Sequence, residues 1–531
     1  MAGHGRKATR AKVEKIRAYW RERVERHLCD RALVTDSRWR AMFLRLVDDV
    51  RTVREGIGRI GDPPEEVGFD PREPLVWAWC VLDTMPNERA VAYEAMRERS
   101  VDGTGIEDRA DVIRERGYEM PGLTTALDQQ VPWLAALARV LDDDLAALQY
   151  WPEDVREWKV DDWRPPGYAC HVVPVRRPYR LGDRRPAQRR GLLHHAIVPE
   201  RIGSLGVKLR IHPDAARGEN GADPSRWTYG AATFPDMTVV PSVDEAERFR
   251  VVGAPIPGDE AAVLARQVAD ARAASTDVLV WPELTMPGSR LDLLRERLAD
   301  SPLLGGRIPL VVAGSWHVLT PSRQAEEVGE ADMEGEPLGG DMGDAETATN
   351  AADGLDAAAF DLQPALAEDE KASDTPSPGP GPDVHVNRSE VMLGDGEPLL
   401  SYDKRRPFPF GGLMEDITPG RFLPVIVMED RLVGVAICRD NCDDNALEGY
   451  RHLPIDLVVV PSMGAESTVD AHERHAKAQR SRQGTVTLVV QQRLAIHGQA
   501  RPPGASSYSF VRPEEVPGPG LEQDVEFRTL R

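Results

Sequence analysis

Apolar residues recur at helical spacing in the first third of this chain and fall in short runs over the rest. Over residues 8–29, Val13, Ile16, Trp20, Val24 and Leu28 share one face, and Arg, Lys and Glu cover the other. That spacing predicts an amphipathic helix packed on its neighbours, with a partner-binding helix as the sharper alternative. A second helix is predicted from Ser37 to Ile57. A third runs from Gly122 to Tyr150, where Pro132 would kink or restart it. Eight tryptophans lie in this part, at 20, 39, 77, 79, 133, 151, 158 and 163. Aromatics of this size usually build cores. Residues 1–165 therefore read as a mostly helical accessory domain, in which His27 stands alone on a charged surface.

The pattern changes after Arg164-Pro165-Pro166-Gly167. Residues 166–224 read as a linker and lead-in strands, and the seven arginines between Arg176 and Arg190 read as a solvated connection. From residue 225 to 519, short apolar strands alternate with helices, the mark of a layered α/β domain. Its strands include 227–234, 277–280, 308–314, 422–428, 432–437 and 455–460. An insert at 320–385 interrupts it. That insert is rich in Gly, Pro, Asp, Glu and Ala and predicts disorder.

Composition adds compartment and partner class. The formal net charge of -21 disfavours nucleic acid. Most of that charge sits in residues 325–383, with 17 Asp and Glu against one Lys, so local basic patches stay open elsewhere. Five cysteines, mostly far apart, do not form a disulfide framework. The chain shows no secretory leader and no run of about 18 apolar residues, so a soluble cytoplasmic protein without membrane association is expected.

Three segments deliver a reactive residue to the end of an apolar run. They are Val278-Leu279-Val280-Trp281-Pro282-Glu283, Leu400-Ser401-Tyr402-Asp403-Lys404 and Gly434-Val435-Ala436-Ile437-Cys438-Arg439-Asp440. Ligands of open α/β sheets bind outside the carboxyl ends of strands. A Glu, a Lys and a Cys there make a base, a charge partner and a nucleophile. Cys438 and Cys442 are four apart without a His at ligand spacing, so no metal is expected.

These segments resemble the nitrilase superfamily of carbon–nitrogen hydrolases. Further matches are Asp456–Ser462, the strand after the nucleophile, Ala476-Lys477-Ala478-Gln479-Arg480 on a helix, and the late turn Gly504-Ala505-Ser506-Ser507. The resemblance covers about residues 225–515. It implies a four-layer α-β-β-α sandwich and a Glu-Lys-Cys triad. Glu283 would be the general base, Lys404 would stabilise the tetrahedral intermediate and Cys438 would attack. Glu415 is the match for the family's second carboxylate.

Arg439, Tyr402 and Ser462 flank the triad as candidate substrate-binding residues. Arg439 stands where many members carry an aromatic, and could attract an acidic substrate. Phe234-Pro235-Asp236 also departs from the family's first strand. The implied reaction is hydrolysis of a small-molecule amide, or less favourably a nitrile, through a thioester or thioimidate. It needs no cofactor. The resemblance further implies a homo-oligomer paired through the helix near Ala465–Arg482, and residues 1–165 remain open to a protein partner. The competing class is a non-catalytic scaffold, or an effector or sensor in a bacterial defence context.

Overall fold

A computed structural model describes residues 2–30, 34–56, 72–94, 99–116, 130–148, 158–175, 192–212, 227–300, 308–320, 383–428, 431–442, 452–464, 466–483, 485–499, 507–510 and 525–530, with residues 70, 96, 118, 120 and 450 singly. Residues 321–382 of the acidic insert, the basic stretch 176–191, Trp151 and residues 504–506 of the late turn lie outside the described residues. The fold is mixed α/β. Among the described residues, no helix is long and apolar enough to cross a membrane.

Among the described residues six α-helices come first: α1 (Ala2–Asp30), α2 (Asp36–Gly56), α3 (Arg72–Asp83), α4 (Asn87–Glu94), α5 (Ile106–Glu115) and α6 (Gln130–Leu148). Pro132 falls in the first turn of α6, where its missing N–H has no helical partner to lose. It therefore neither kinks nor restarts the helix. One apolar cluster joins the six helices through Trp20, Trp39, Trp77, Trp79 and Trp133. A buried aromatic removes about 150–250 Å² from water, worth roughly 4–6 kcal/mol before ordering entropy is subtracted. His27, expected on the surface, is buried instead. Its Nε2 lies 2.8 Å from Asp83 of α3 and its ring is edge-on to Trp79. Periodicity places His27 between α1's two faces, and only the packing of α3 decides which way it turns.

This helical core also takes in Tyr168, Cys170, Val172, Leu192 and Ile197. The strands Cys170–Pro174 and His195–Pro199 pair antiparallel. Period-2 alternation sends Cys170 and Val172 toward the helices, while Val173 and Val175 join the core of the sheets. Asp142 of α6 is fully buried and accepts from the Leu193 and His194 N–H groups and from His195 Nδ1, the last at 2.8 Å. A fragment ending at residue 165 leaves Asp142 without these donors. Residues 1–200 expressed alone should therefore melt cooperatively by circular dichroism, and residues 1–165 should not. Equal melts would show that the strand pair adds nothing to the helical core.

Two seven-stranded sheets follow. One runs in the order 316–320, 384–393, 310–312, 278–280, 227–232, 525–530, with 398–403 also paired to 384–393. The other runs 507–510, 486–493, 457–464, 431–435, 422–428, 205–211, 201–202. Alternation divides the central strands of the first sheet between two cores. Val278, Val280, Leu310 and Val312 share a core with Val425, Val427, Val433, Val435 and Val458 of the second sheet. Leu279 and Val311 point the other way, onto Leu264 and Val268 of α7 (Glu260–Ala273) and Leu294 and Leu298 of α8 (Gly288–Ala299). Asp259 caps α7 by accepting from the Ala261 and Ala262 N–H groups. After α9 (Arg439–Cys442), helix α10 (Glu466–Gln483) lies on the second sheet and gives Val469 and Ala476 to its core. A four-stranded sheet of 409–410, 413–415, 248–253 and 240–243 stands at the strand ends where the reactive residues emerge.

Candidate active site

Glu283, Lys404, Glu415 and Cys438 each sit at or just beyond the end of a strand. Glu283 follows the strand Val278–Val280, and the next residue, Leu284, has φ +57°. That left-handed turn packs on Gly314, where a Cβ would stand 2.2 Å from the Pro282 carbonyl oxygen. Only glycine permits this approach, and Gly314 itself has φ +60°. Cys438 has φ +45°, an uncommon state for a side-chain-bearing residue at a sharp strand exit. Its N–H is held by the Pro461 carbonyl at 2.8 Å.

Lys404 emerges from the strand Pro398–Asp403, its N–H bonded to the Asn387 carbonyl at 2.8 Å. Asp440, buried at the start of α9, accepts from the Arg405 N–H at 3.0 Å and the Arg406 N–H at 2.8 Å, and from the Tyr402 hydroxyl. One carboxylate thus fixes the turn carrying Lys404 to the turn carrying Cys438. Asp440→Asn replaces an acceptor with a donor facing those N–H groups. It should lower turnover about ten- to hundred-fold while leaving KM nearly unchanged. Unaltered steady-state kinetics would remove Asp440 from the positioning of the site.

The turns bring Glu283, Lys404, Glu415 and Cys438 together. Lys404 Nζ lies 2.6 Å from Glu283 Oε1 and 2.6 Å from Glu415 Oε2. The Met463 N–H donates to Glu283 Oε2 at 3.3 Å, and the Met463 carbonyl lies 3.7 Å from the Cys438 sulfur. The one residue Met463 thus touches both the base and the thiol.

Two further residues hold the carboxylates, and sequence reasoning missed both. Asn387 Nδ2 donates to Glu283 Oε1 at 3.0 Å and to Glu415 Oε1 at 2.9 Å. His317 Nε2 lies 2.9 Å from Glu415 Oε1, while its Nδ1 accepts from the Val251 N–H at 2.8 Å. An accepting Nδ1 carries no proton, so the ring is the neutral Nε2–H tautomer and donates to Glu415. His317 and Asn387 face each other across two antiparallel strands. Polar residues at inward-facing strand positions were the signal that could have found them.

Charge and burial oppose one another here. Burial raises Glu415, but Lys404 and the His317 hydrogen bond outweigh it and hold the carboxyl at about 2. Burial also raises Glu283, and with the Glu415 charge it outweighs Lys404, so Glu283 sits above the usual carboxylate range. Burial would neutralise Lys404, but the two carboxylates hold it charged and raise it. The Cys438 thiol is pushed well up, first by burial and then by Glu283. The resting state is therefore a protonated thiol beside a carboxylate of raised basicity, with an ammonium between two acids.

Glu283, Lys404 and Glu415 line a pocket with Phe249, Val251, Phe408, Phe410, Met463 and Ile496. The free space is about 30 Å³, room for one or two waters. Tyr402, Arg439 and Ser462 are not brought to this pocket. Tyr402 is buried on Asp440. Arg439 Nη1 donates to the Pro407 carbonyl at 2.8 Å. Ser462 Oγ lies 3.0 Å from His472 Nε2 and 3.3 Å from Gln491 Oε1. Burial, and then His475, lower His472 to about 3, so it is neutral at pH 7.

No family model and no curated protein matches the chain. Solved structures with which it shares similarity include a CN-hydrolase superfamily protein of Xanthomonas campestris, at 13% identity over 58% of this chain and 91% of that one, with a TM-score of 0.33. An amidase from Nesterenkonia sp. is similar at 14% identity over 58% of this chain and 90% of that one, TM-score 0.33. A glutamine-dependent NAD+ synthetase from Acinetobacter baumannii is similar at 13% identity over 57% of this chain and 45% of that one, TM-score 0.33.

Proposed function

We propose that the chain is a thiol carbon–nitrogen hydrolase acting on a small amide with an apolar acyl group. The observation that carries this reading is the Lys404 ammonium 2.6 Å from both Glu283 and Glu415, with Met463 donating its N–H to Glu283 and setting its carbonyl 3.7 Å from the Cys438 sulfur. Glu283 takes the thiol proton as the sulfur attacks the carbonyl carbon. Lys404 and the Arg439 backbone N–H meet the oxyanion. Glu283 returns the proton to the departing amine, then takes one from the water that cleaves the thioester. Glu415 keeps Lys404 charged and aimed, and no cofactor enters. An amide is favoured over a nitrile because the resembling family acts mostly on amides and related C–N bonds. The apolar walls favour an uncharged acyl group, and Arg439, occupied by the Pro407 carbonyl, is not needed for an acidic one.

The reading carries the family's four-layer α-β-β-α sandwich over residues 225–519 and a helical domain at 1–165 whose core the strand pair of the 166–224 lead-in completes. It also carries a homo-oligomer, at least a dimer, paired through α10, in a soluble cytoplasmic protein. An ammonia-release screen over amides and nitriles of increasing acyl size, with Cys438→Ala as the blank, tests it. Activity should be confined to short apolar amides. The small free volume favours a second reading, a non-catalytic scaffold or a sensor, in which the helices bind a partner. No release above the blank from any compound would select that reading.

A further inference from the structure

Helices α1 and α2 leave a surface cavity of about 330 Å³ between them, far from Cys438 in sequence and lined by residues that no step above uses. Its walls carry Tyr19, Glu22, Arg23, Arg26, Arg38 and Arg45. Four guanidinium groups around one carboxylate are unexpected in a chain of net charge -21.

Two of the four are already paired. Arg26 Nη2 lies 2.5 Å from Glu22, and Arg45 Nε lies 3.1 Å from Asp49 while its guanidinium stacks 3.6 Å above the Tyr19 ring. The other two have no carboxylate among the described residues. Arg38 is exposed at the rim. Arg23 is only 9% exposed, and its Nη2 donates to the Met42 thioether at 2.9 Å, a weak acceptor. Its Nε is buried with no hydrogen-bond partner. Arg38 and Arg26 add like charge, so Arg23 is held below the usual guanidinium range by burial and by its neighbours. A buried guanidinium with no anion is a costly arrangement for a fold to keep.

We propose that this cavity binds a small molecule bearing a di- or triphosphate group, seated on Arg23 and Arg38. A phosphate supplies the acceptor oxygens that Arg23 Nε lacks, and a guanidinium fork matches phosphate in two parallel hydrogen bonds. A second phosphate reaches Arg38 at the rim. The size of the cavity falls within the range of small-ligand sites. The inference is independent of the hydrolase reading, since it uses no residue of the other site.

Calorimetric titration of the full chain with inorganic pyrophosphate, and separately with a nucleoside triphosphate, tests this. Both should bind saturably at low ionic strength and weaken as salt rises. Arg38→Glu, on an exposed residue, should weaken both at least about ten-fold, the loss of one charge-assisted bond. Arg23→Lys keeps the charge but loses the fork, and should weaken both comparably at an unchanged thermal midpoint. Arg51→Glu, which does not line the cavity, should change neither. Tighter binding of the nucleotide than of pyrophosphate would assign a nucleotide, and equal binding would assign the bare phosphate chain. Absence of binding, binding indifferent to both Arg23→Lys and Arg38→Glu, or equal binding of succinate would overturn the proposal.

Discussion

Lys404→Met should abolish hydrolysis and lower stability by roughly 3–5 kcal/mol, the usual loss when one member of a buried charge cluster is removed. Lys404, Glu283 and Glu415 are each at most 3% exposed, so little solvent screens what remains. The variant leaves two carboxylates facing each other out of water. Its pH dependence follows from the direction of each shift. Glu415 is depressed from its ordinary 4.5 to about 2. Its contribution in the wild type is therefore present above pH 4.5 and lost as pH falls toward 2. Lys404 is raised above 10.5, so its contribution is present below that pH and fades only as pH rises beyond it.

Glu283 is raised above 4.5, so it favours the fold at low pH and weighs against it as pH climbs through its folded value. Without Lys404 the largest cause of the Glu415 depression is gone, and both carboxyls should shift upward as Glu283 does. The stability gap between wild type and variant should then be widest near pH 7 and narrow toward pH 4. Urea midpoints of the two proteins at pH 7 and pH 4.5 measure it. An unchanged gap would mean that the ammonium does not hold these carboxylates charged.

The sequence makes some of this site legible because Glu283, Lys404 and Cys438 each end an apolar run, and a strand end is a place a pattern can mark. It is silent on approach. Glu415 lies on a three-residue strand eleven positions after Lys404, and nothing in that spacing says that the hairpin folds back to 2.6 Å. His317 and Asn387 are 70 residues apart and meet only through strand register. Tyr402 stands two residues before Lys404, on the same face of an alternating strand, yet the sheet takes its ring to Asp440 rather than to the pocket. The helical part was readable from leucine and tryptophan periodicity. Strands were expected in the lead-in, but their place in the helical core was not legible, since five-residue runs beside an arginine-rich stretch carry no period that assigns them to one core or the other.

Cys438→Ala should reduce ammonia release to the uncatalysed rate, while Cys442→Ala should keep most of it. Both thiols are raised, but Cys438 is the one that meets Met463, whose N–H holds Glu283. Burial raises Cys442 to about 12, and its sulfur lies 3.5 Å from the Cys438 carbonyl and 4.0 Å from His472 Nε2. A thiol protonated at rest needs its base at the moment of attack, and Glu283→Gln separates this from a merely structural role. Losing the base should lower turnover about 10²–10⁴-fold. The same change removes a negative charge that raises the Cys438 thiol and frees Lys404 to stabilise the thiolate. Alkylation of Cys438 by iodoacetamide at pH 9 should therefore hold steady or quicken in Glu283→Gln while turnover collapses. If alkylation and turnover fell together, Glu283 would be shaping the pocket rather than carrying the proton. If Cys438→Ala still released ammonia, the thiol would have no part in the chemistry.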